Sequence, residues 1–143
     1  MLSLDHPFIA KMVKSFKNKF YVFFLLEYIN GISLNEYMKH LSGMKIKEDK
    51  CKKIFYQIVN AINYCKSKNI YHRDIKLENI LLINENLVKI IDFGFSIKCP
   101  KNTYQKFLCG TPTYMSPEII NKKSKTYSFV KITYHHQIMK SYY

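Results

Sequence analysis

Apolar residues follow two different periods along the chain. Residues 20–26 form one continuous apolar and aromatic run that Glu27 ends, which predicts a strand joined through residues 17–19 to a shorter strand at residues 12–13. Between residues 48 and 68 apolar side chains recur every three or four positions, which predicts an amphipathic helix. Its buried stripe is expected to contain Ile54, Ile58, Ile62 and Cys65.

Two shorter elements complete the predicted framework. Ser33 stands three residues before Glu36, which is the spacing of a capping box at the start of a helix, and Gly43 can end that helix. Two β-rich runs, at residues 80–83 and 87–91, flank the polar residues 84–86 and predict a second hairpin. Polar residues precede and follow this hairpin. Because the two strands are antiparallel, the residues before the first strand and after the second lie at the same end, so side chains that are distant in sequence can come together there.

A run of residues with reactive side chains directly precedes this hairpin in sequence. It contains His72, Arg73, Asp74, Lys76 and Asn79, and Asp92-Phe93-Gly94 begins 18 positions after Asp74. A third run then extends from Gly110-Thr111-Pro112 to Glu118. With an average usage near 5% per residue type, the five fixed letters of the first run alone would occur at a given start with a probability on the order of 10⁻⁷. Coincidence is therefore a poor explanation.

These runs, in this order, resemble the catalytic loop, the D-F-G motif and the activation segment of protein kinases. The resemblance implies an α+β, protein-kinase-like fold that is present in part: the end of the small lobe and the first part of the helical large lobe. It assigns residues 1–26 to the small lobe, 27–32 to the hinge and 33–118 to the large lobe. We expect residues 119–143 to be a divergent or disordered tail.

The resemblance also implies roles for individual residues. Asp74 would orient the substrate hydroxyl and take its proton, and Lys76 would neutralise the transferred phosphoryl group. Asn79 and Asp92 would bind Mg²⁺ through oxygen atoms. Thr111 would contact both Asp74 and Lys76, a pairing that is typical of serine/threonine-specific kinases.

Further positions would serve the nucleotide and the regulation of the enzyme. The residues expected to surround the adenine of ATP are the gatekeeper Leu26, the backbone groups of Glu27 and Ile29, and Leu81 beneath the ring. Those expected in a regulatory hydrophobic stack are Met12, Phe93 and His72. In protein kinases the arginine that corresponds to Arg73 usually pairs with a phosphate on the activation segment. In this sequence the usual phosphorylation position is occupied by Phe107. Thr103 and Tyr104 are the alternatives nearby.

Composition changes this interpretation little. The 143 residues are 48% hydrophobic, which is ample for a packed core, and carry a net charge of +13 from 23 basic and 10 acidic residues. Such a charge can indicate nucleic-acid or membrane binding, but Arg73 is the sole arginine and the lysines are spread along the chain. We expect no nucleic-acid partner. The pattern favours no particular oligomeric state.

The cysteines and apolar runs indicate the compartment. None of the four cysteines forms a C-x-x-C pair, which favours reduced thiols over a metal site. No apolar run is long enough to span a membrane, and the first residues lack the pattern of a signal peptide. An intracellular, cytoplasmic location is expected.

Two functions remain open. The first is ATP- and Mg²⁺-dependent phosphoryl transfer to serine or threonine hydroxyls of a protein substrate, by a kinase of which this chain is a fragment. The 143 residues contain no G-x-G-x-x-G and no tryptophan for the helix that follows the activation segment, so we expect the fragment alone to be inactive. The alternative is a non-catalytic, kinase-like interaction module. The complete set of Asp74, Lys76, Asn79, Asp92 and Thr111 favours the kinase.

Overall fold

The structure, a computed structural model, describes residues 4–100, 104–105, 109–115 and 127–128. They divide into two compact units. The first comprises the residues up to Tyr64 together with Leu77–Ile91, and the second comprises Cys65–Lys76 together with the described residues from Asp92 onward.

Nine strands and two α-helices are present in these residues. The helices are α1 (Leu34–Lys39) and α2 (Glu48–Ser67). The strands are β1 (Met12–Lys17), β2 (Val22–Leu26), β3 (Ile32–Ser33), β4 (Ile70–Tyr71), β5 (Ile80–Asn84), β6 (Leu87–Ile90), β7 (Ile97–Lys98), β8 (Tyr104–Gln105) and β9 (Tyr127–Ser128). The mixture of helices with antiparallel strands is the predicted α+β class.

The first predicted hairpin is confirmed, but its boundaries differ from the prediction. Strand β1 extends to Lys17 and pairs antiparallel with β2, which begins at Val22. The side-chain oxygen of Asn18 accepts hydrogen bonds from the amides of Phe20 and Tyr21. These amides serve the turn, so the aromatic run enters the ladder two residues later than its composition suggests.

A three-stranded antiparallel sheet, in the order β3-β5-β6, forms the centre of the first unit. The second predicted hairpin is confirmed as β5 and β6, with each strand end within one residue of the prediction. Gly31 lies against this sheet: a β-carbon at that position would be 2.7 Å from the carbonyl oxygen of Leu82. A side chain there would push the chain away from β5 just before β3 begins.

The predicted cap of α1 is present, but the predicted end of the helix is wrong. The Ser33 hydroxyl accepts a hydrogen bond of 3.1 Å from the amide of Glu36. The helix ends at Lys39, with His40 as its C-cap, and does not reach Gly43. Gly43 has a φ of 68° and instead turns the chain within a separate 3₁₀ turn, Ser42–Met44.

Helix α2 confirms the predicted amphipathic segment. Ile54, Ile58 and Cys65 are buried, as predicted, whereas Ile62 is half-buried. The buried stripe also contains Gln57, which the apolar pattern did not identify. The Gln57 amide nitrogen donates to the carbonyl oxygen of Asn86 at 2.7 Å, and its oxygen accepts from the Val88 amide at 3.0 Å. One side chain therefore fastens the helix to the β5–β6 hairpin.

The segment before β1 closes the core of this unit. Ile9 forms a parallel bridge with Ile90, supported by hydrogen bonds from the Ala10 amide to the Ile90 carbonyl and from the Ile90 amide to the Phe8 carbonyl, each 2.9 Å long. The largest fully buried side chains are Ile9, Val88 and Ile90. Branched aliphatic residues of the segment and the hairpin thus fill the centre.

The second unit is held by short strand pairs. Strand β4 pairs antiparallel with β7, and β8 pairs antiparallel with β9. Asn69, with a φ of 57°, ends the turn after α2, and its carbonyl accepts from the Cys99 amide at 2.8 Å. Residues 72–76 follow β4 as an irregular loop. This loop carries part of the candidate site.

Candidate active site

The loop that follows β4 buries Asp74, which is only 3% exposed. Its amide lies 3.2 Å from Nδ1 of His72 and donates a hydrogen bond to that atom. Arg73, between them, has a φ of 69°, a conformation that is uncommon outside glycine. The bend at Arg73 brings the Asp74 amide within hydrogen-bond distance of Nδ1 of His72.

The side chains of Asp74, Lys76 and Thr111 form a closed set of hydrogen bonds. The Thr111 amide and hydroxyl donate to Oδ1 of Asp74 at 2.9 and 2.7 Å. The Lys76 ammonium lies 3.0 Å from Oδ2 of Asp74 and also donates to the Thr111 hydroxyl oxygen at 3.0 Å. The predicted contact of Thr111 with both residues is confirmed. Each side chain thereby fixes the other two.

Gly110 permits this arrangement. Its φ of 108° lies in the region that favours glycine, and a β-carbon there would be 2.5 Å from the carbonyl oxygen of Arg73. Because that oxygen belongs to the backbone, it could not simply rotate away. The absence of a side chain at residue 110 allows Thr111 to approach the Asp74 loop.

The charge state of Asp74 follows from these contacts. Burial alone would raise the pKa of its carboxyl group, because a buried charge loses hydration. The hydrogen bonds from the Thr111 hydroxyl, from Lys76 and from the Thr111 amide outweigh burial and leave the pKa below its ordinary value. Asp74 is therefore a carboxylate at neutral pH.

The turn that contains Asp92 is fixed to the same loop. The imidazole of His72 meets the ring of Phe93 edge-on, with 4.5 Å between ring centroids, and the Arg73 side chain donates to the carbonyl oxygen of Phe95. The predicted contact of His72 with Phe93 is thus present. Phe93 is buried, whereas the carboxylate of Asp92 is exposed. Asp92 has a φ of 57° and caps its own turn by accepting from the Gly94 amide.

Asn79 belongs to the first unit and is buried. It ends the 3₁₀ turn Leu77–Asn79 directly before β5, and its carbonyl accepts from the Ile91 amide at 2.9 Å. The bond closes the β5–β6 hairpin at the end where Asp92 follows in sequence. Asp74, Lys76, Thr111 and Asp92 all belong to the second unit.

The residues predicted to surround adenine also lie in the first unit. Leu26 is the last residue of β2 and is 46% exposed. Ile29 and Leu81 are half-buried, and Leu81 lies in β5 opposite Ser33 and Lys89. The Glu27 amide donates to the Lys11 carbonyl at 2.9 Å, so of its two backbone groups the carbonyl is the one left for a ligand.

The side chain of Glu27 is held by groups that the sequence did not reveal. Its carboxylate accepts from the Lys11 amide at 2.8 Å and forms an ion pair with Lys89. Burial would raise the pKa of Glu27, but the hydrogen bond from Lys89 and that from the Lys11 amide lower it below its ordinary value. A lysine in one strand and a glutamate 62 residues earlier give no sequence pattern that would pair them.

The comparison with known proteins identifies the family. Residues 1–131 match the family model described as the protein kinase domain. The chain belongs to the protein kinase family. The predicted resemblance and the predicted partial kinase-like fold are thereby confirmed.

The relatives of this kinase chain are named as kinases, and one of those given below is named a serine/threonine-protein kinase. CBL-interacting protein kinase 3 of Oryza sativa subsp. japonica is 38% identical over 126 residues, which cover 86% of this chain and 28% of the relative. NUAK family SNF1-like kinase 1 of Mus musculus is 39% identical over 121 residues, covering 85% and 18%. CBL-interacting serine/threonine-protein kinase 2 of Arabidopsis thaliana is 37% identical over 121 residues, covering 82% and 26%. The kinase chain thus spans about a quarter or less of the length of these relatives.

Protein kinases use ATP and Mg²⁺, and the oxygen donors of this chain fit that chemistry. Asp92 offers an exposed carboxylate and Asn79 an amide oxygen, which are hard ligands of the type Mg²⁺ prefers. In the described part of the chain no group of three His, Cys, Asp or Glu residues is arranged to hold a metal ion. Mg²⁺ commonly takes only one or two ligands from a protein, because phosphate and water oxygens complete its coordination.

Some predicted features lie outside the described residues. They are Phe107 at the usual phosphorylation position, Thr103, Glu118 and most of the predicted tail. For Tyr104 the structure describes the backbone, in β8. Among the helices in the described ranges, none is both long and apolar enough to cross a membrane.

Proposed function

We propose that this chain is the central part of a serine/threonine kinase that transfers the γ-phosphoryl group of ATP, with Mg²⁺, to a hydroxyl group of a protein substrate. The observation that carries the proposal is the closed set of Asp74, Lys76 and Thr111. A buried carboxylate, an ammonium group and a hydroxyl lie within 3.0 Å of one another. A surface loop does not need such a set of polar groups in order to fold. These groups suit a site that positions one hydroxyl beside a transferable phosphate.

In this proposal Asp74 orients the substrate hydroxyl and accepts its proton. Its lowered pKa keeps it ionised but makes it a weak base, so orientation is its main contribution and proton transfer comes late. Lys76, beside Oδ2, stabilises the charge on the phosphoryl oxygens during transfer. Thr111 holds both groups in register through its amide and hydroxyl.

The proposal also assigns residues to the nucleotide and its metal ion. The Glu27 carbonyl and the backbone of Ile29 hydrogen-bond adenine, and Leu26 and Leu81 supply apolar contacts. Asp92 and Asn79 provide oxygen ligands for Mg²⁺. When bound, Mg²⁺ neutralises phosphate charge.

The test uses a chimera because the chain matches only part of each relative. Residues 4–115 would replace the matching segment of the rice CBL-interacting protein kinase 3, and phosphate transfer to a serine peptide would be measured. Asp74→Asn should lower kcat by a factor of about 10² or more, because the orienting carboxylate is lost. Asp49→Asn, the same change at an exposed position in the first turn of α2, is the matched control. Equal turnover in both variants would contradict the proposal.

A non-catalytic interaction module is the second candidate, and one observation favours it. Every residue of β2 is exposed, including Phe23 at 52% and Phe24 at 60%. Apolar surface of this kind is typical of protein-binding sites. The chimera separates the two functions, since an interaction module would give neither Mg²⁺-dependent ATP binding nor phosphate transfer.

We also propose that the 143 residues alone have little activity and that the protein is cytoplasmic. The 143 residues contain no glycine-rich loop to cover the phosphates. All four cysteines, which lie in the described ranges, are thiols that form no disulfide, which supports a reducing compartment.

A further inference from the structure

The β1–β2 ladder ends with an exchange of hydrogen bonds that departs from the regular pattern. The Glu27 amide donates to the Lys11 carbonyl at 2.9 Å. In a regular antiparallel pair the two facing residues exchange both of their N–H···O bonds, so the Lys11 amide would donate to the Glu27 carbonyl. It donates instead to the Glu27 carboxylate, at 2.8 Å. The side chain of Glu27 takes the donor that its own carbonyl would otherwise receive.

Lys89 holds the carboxylate in this position. Its ammonium group contacts the same Oε1 atom that accepts from the Lys11 amide. Both side chains are largely shielded, with 18% of Lys89 and 29% of Glu27 exposed, so solvent screens the pair less than a surface pair. The Lys11 ammonium forms an ion pair with Asp5 at 3.4 Å. Its charge also lowers the pKa of Glu27, but it ranks below the hydrogen bonds from Lys89 and from the Lys11 amide among the causes.

The consequence is a free backbone acceptor at residue 27. Within the part of the chain that the structure describes, no group donates a hydrogen bond to the Glu27 carbonyl oxygen. A backbone carbonyl without a donor tends to be satisfied by water or by a ligand. This carbonyl is the one expected to face adenine.

We propose that Lys89 and the carboxylate of Glu27 are positioning residues for the nucleotide: by diverting the Lys11 amide from the Glu27 carbonyl, they leave that carbonyl free to accept a hydrogen bond from the exocyclic amino group of adenine. The inference rests on the proposed function, since it requires that the chain binds ATP. The side chains of Lys89 and Glu27 would thus contribute to the recognition of the nucleotide without contacting it.

The hydrogen-bond arrangement can be measured without nucleotide. In the full 143-residue chain labelled with ¹⁵N and ¹³C, scalar coupling across the hydrogen bond reports which carbon accepts from the Lys11 amide. Coupling to the side-chain carboxyl carbon of Glu27 is expected, and in Glu27→Ala coupling to the backbone carbonyl carbon of residue 27 should replace it. Coupling to the backbone carbonyl carbon in the unsubstituted chain would overturn the inference.

The consequence for recognition is tested in the chimera with two nucleotides. ATP has the exocyclic amino group, and purine riboside 5′-triphosphate lacks it. If the Glu27 carbonyl accepts from this group, Lys89→Met should reduce the KM preference for ATP over the purine analogue by about three- to tenfold, the range of one neutral hydrogen bond, with kcat unchanged. Lys89→Arg should keep the preference, because it retains the ion pair with Glu27.

Lys17→Met is the matched control, since Lys17 is exposed in β1. If the role of Lys89 were merely structural, Lys89→Met would raise the KM for both nucleotides by the same factor and leave the preference for ATP unchanged. That result would overturn the inference. A chimera that binds neither nucleotide would instead refute the proposed function. The coupling experiment would still decide whether the Glu27 side chain takes the Lys11 amide.

Discussion

At the residue scale, the neighbours of each carboxylate in the candidate site determine its charge state. Asp74 is buried, which by itself would favour the neutral acid, yet three hydrogen bonds keep it ionised. Glu27 shows the same balance with Lys89 and Lys11 as partners. Either carboxyl group keeps its lowered pKa only while its hydrogen-bond donors are present.

Removal of the Thr111 hydroxyl should therefore change the titration of Asp74. In Thr111→Val the carboxylate loses its shortest hydrogen bond while remaining buried, so its pKa should rise. A lowered pKa stabilises the folded chain above about pH 4, and this contribution is lost as the pH falls through the folded-state pKa. The variant should therefore lose less stability on acidification than the unsubstituted chain.

The measurement is the pH dependence of the Asp74 side-chain carboxyl shift by NMR, together with unfolding by urea at pH 7 and pH 3. Thr113→Val, a change of the same kind at an exposed position of the same segment, should leave the Asp74 titration unaltered. An unchanged titration in Thr111→Val would show that the hydroxyl does not stabilise the carboxylate.

Gly110 and Gly43 allow a controlled test of close packing. Both have a positive φ, but a β-carbon at Gly110 would lie 2.5 Å from the Arg73 carbonyl, whereas one at Gly43 would meet nothing within 4 Å. Gly43→Ala should cost about 1 kcal/mol of backbone strain. Gly110→Ala should in addition displace Thr111 from Asp74, with loss of activity in the chimera and a raised pKa of Asp74. Equal effects of the two substitutions would exclude the close approach as the cause.

At the scale of elements, a polar side chain connects helix α2 to the β5–β6 hairpin. Gln57 is buried and bonds the Asn86 carbonyl and the Val88 amide. The hairpin contributes Val88 and Ile90 to the core and is closed at its other end by Asn79. The helix thus braces the hairpin that carries one of the two proposed Mg²⁺ ligands.

Gln57→Met should destabilise the chain by about 1–3 kcal/mol, because it leaves the amide of the fully buried Val88 without its acceptor. Urea unfolding measures the loss, and amide exchange at Val88 should become faster. Lys53→Met, at an exposed position on the same helix, controls for the change in helix propensity. If both variants were equally stable, the amide of Gln57 would contribute nothing.

At the scale of the whole molecule, the distribution of apolar surface is uneven. The β5–β6 hairpin and helix α2 bury apolar residues, whereas β2 and the turn before it expose aromatic ones, with Phe20 at 77% and Phe24 at 60%. Exposed apolar surface of this extent favours association with other protein surfaces. Purified 1–143 is therefore expected to self-associate.

The complete 143-residue chain should show no saturable binding of Mg²⁺-ATP at millimolar concentration. One or two charge-assisted hydrogen bonds to the phosphates, worth about 1.5–3 kcal/mol each, are missing without a glycine-rich loop and its partner lysine, which weakens binding by tens- to thousands-fold. Calorimetry and phosphate transfer to a serine/threonine peptide would test this. A sharp melt shifted upward by Mg²⁺-ATP, with transfer that Asp74→Asn abolishes, would refute the expected inactivity.

The sequence by itself determined the local elements and the protein kinase family, and it supplied the candidate reactive residues. The apolar period placed α2 and the β5–β6 hairpin within one or two residues, since burial of one face imposes that period directly. The motifs named Asp74, Lys76, Asn79, Asp92 and Thr111, because chemistry of this kind needs particular side chains at fixed offsets. Where the side chain of Asn18 took two backbone amides, local pattern misplaced the start of β2.

Only the tertiary structure decided which distant groups meet. Lys89 and Glu27 are 62 residues apart and Gln57 and Asn86 are 29 apart, and no periodic pattern links either pair. The need for glycine at residue 110 likewise depends on the carbonyl of Arg73, 37 positions earlier. A sequence specifies side chains and local backbone preferences, whereas these contacts, and the pKa values that follow from them, exist only once folding has brought the segments together.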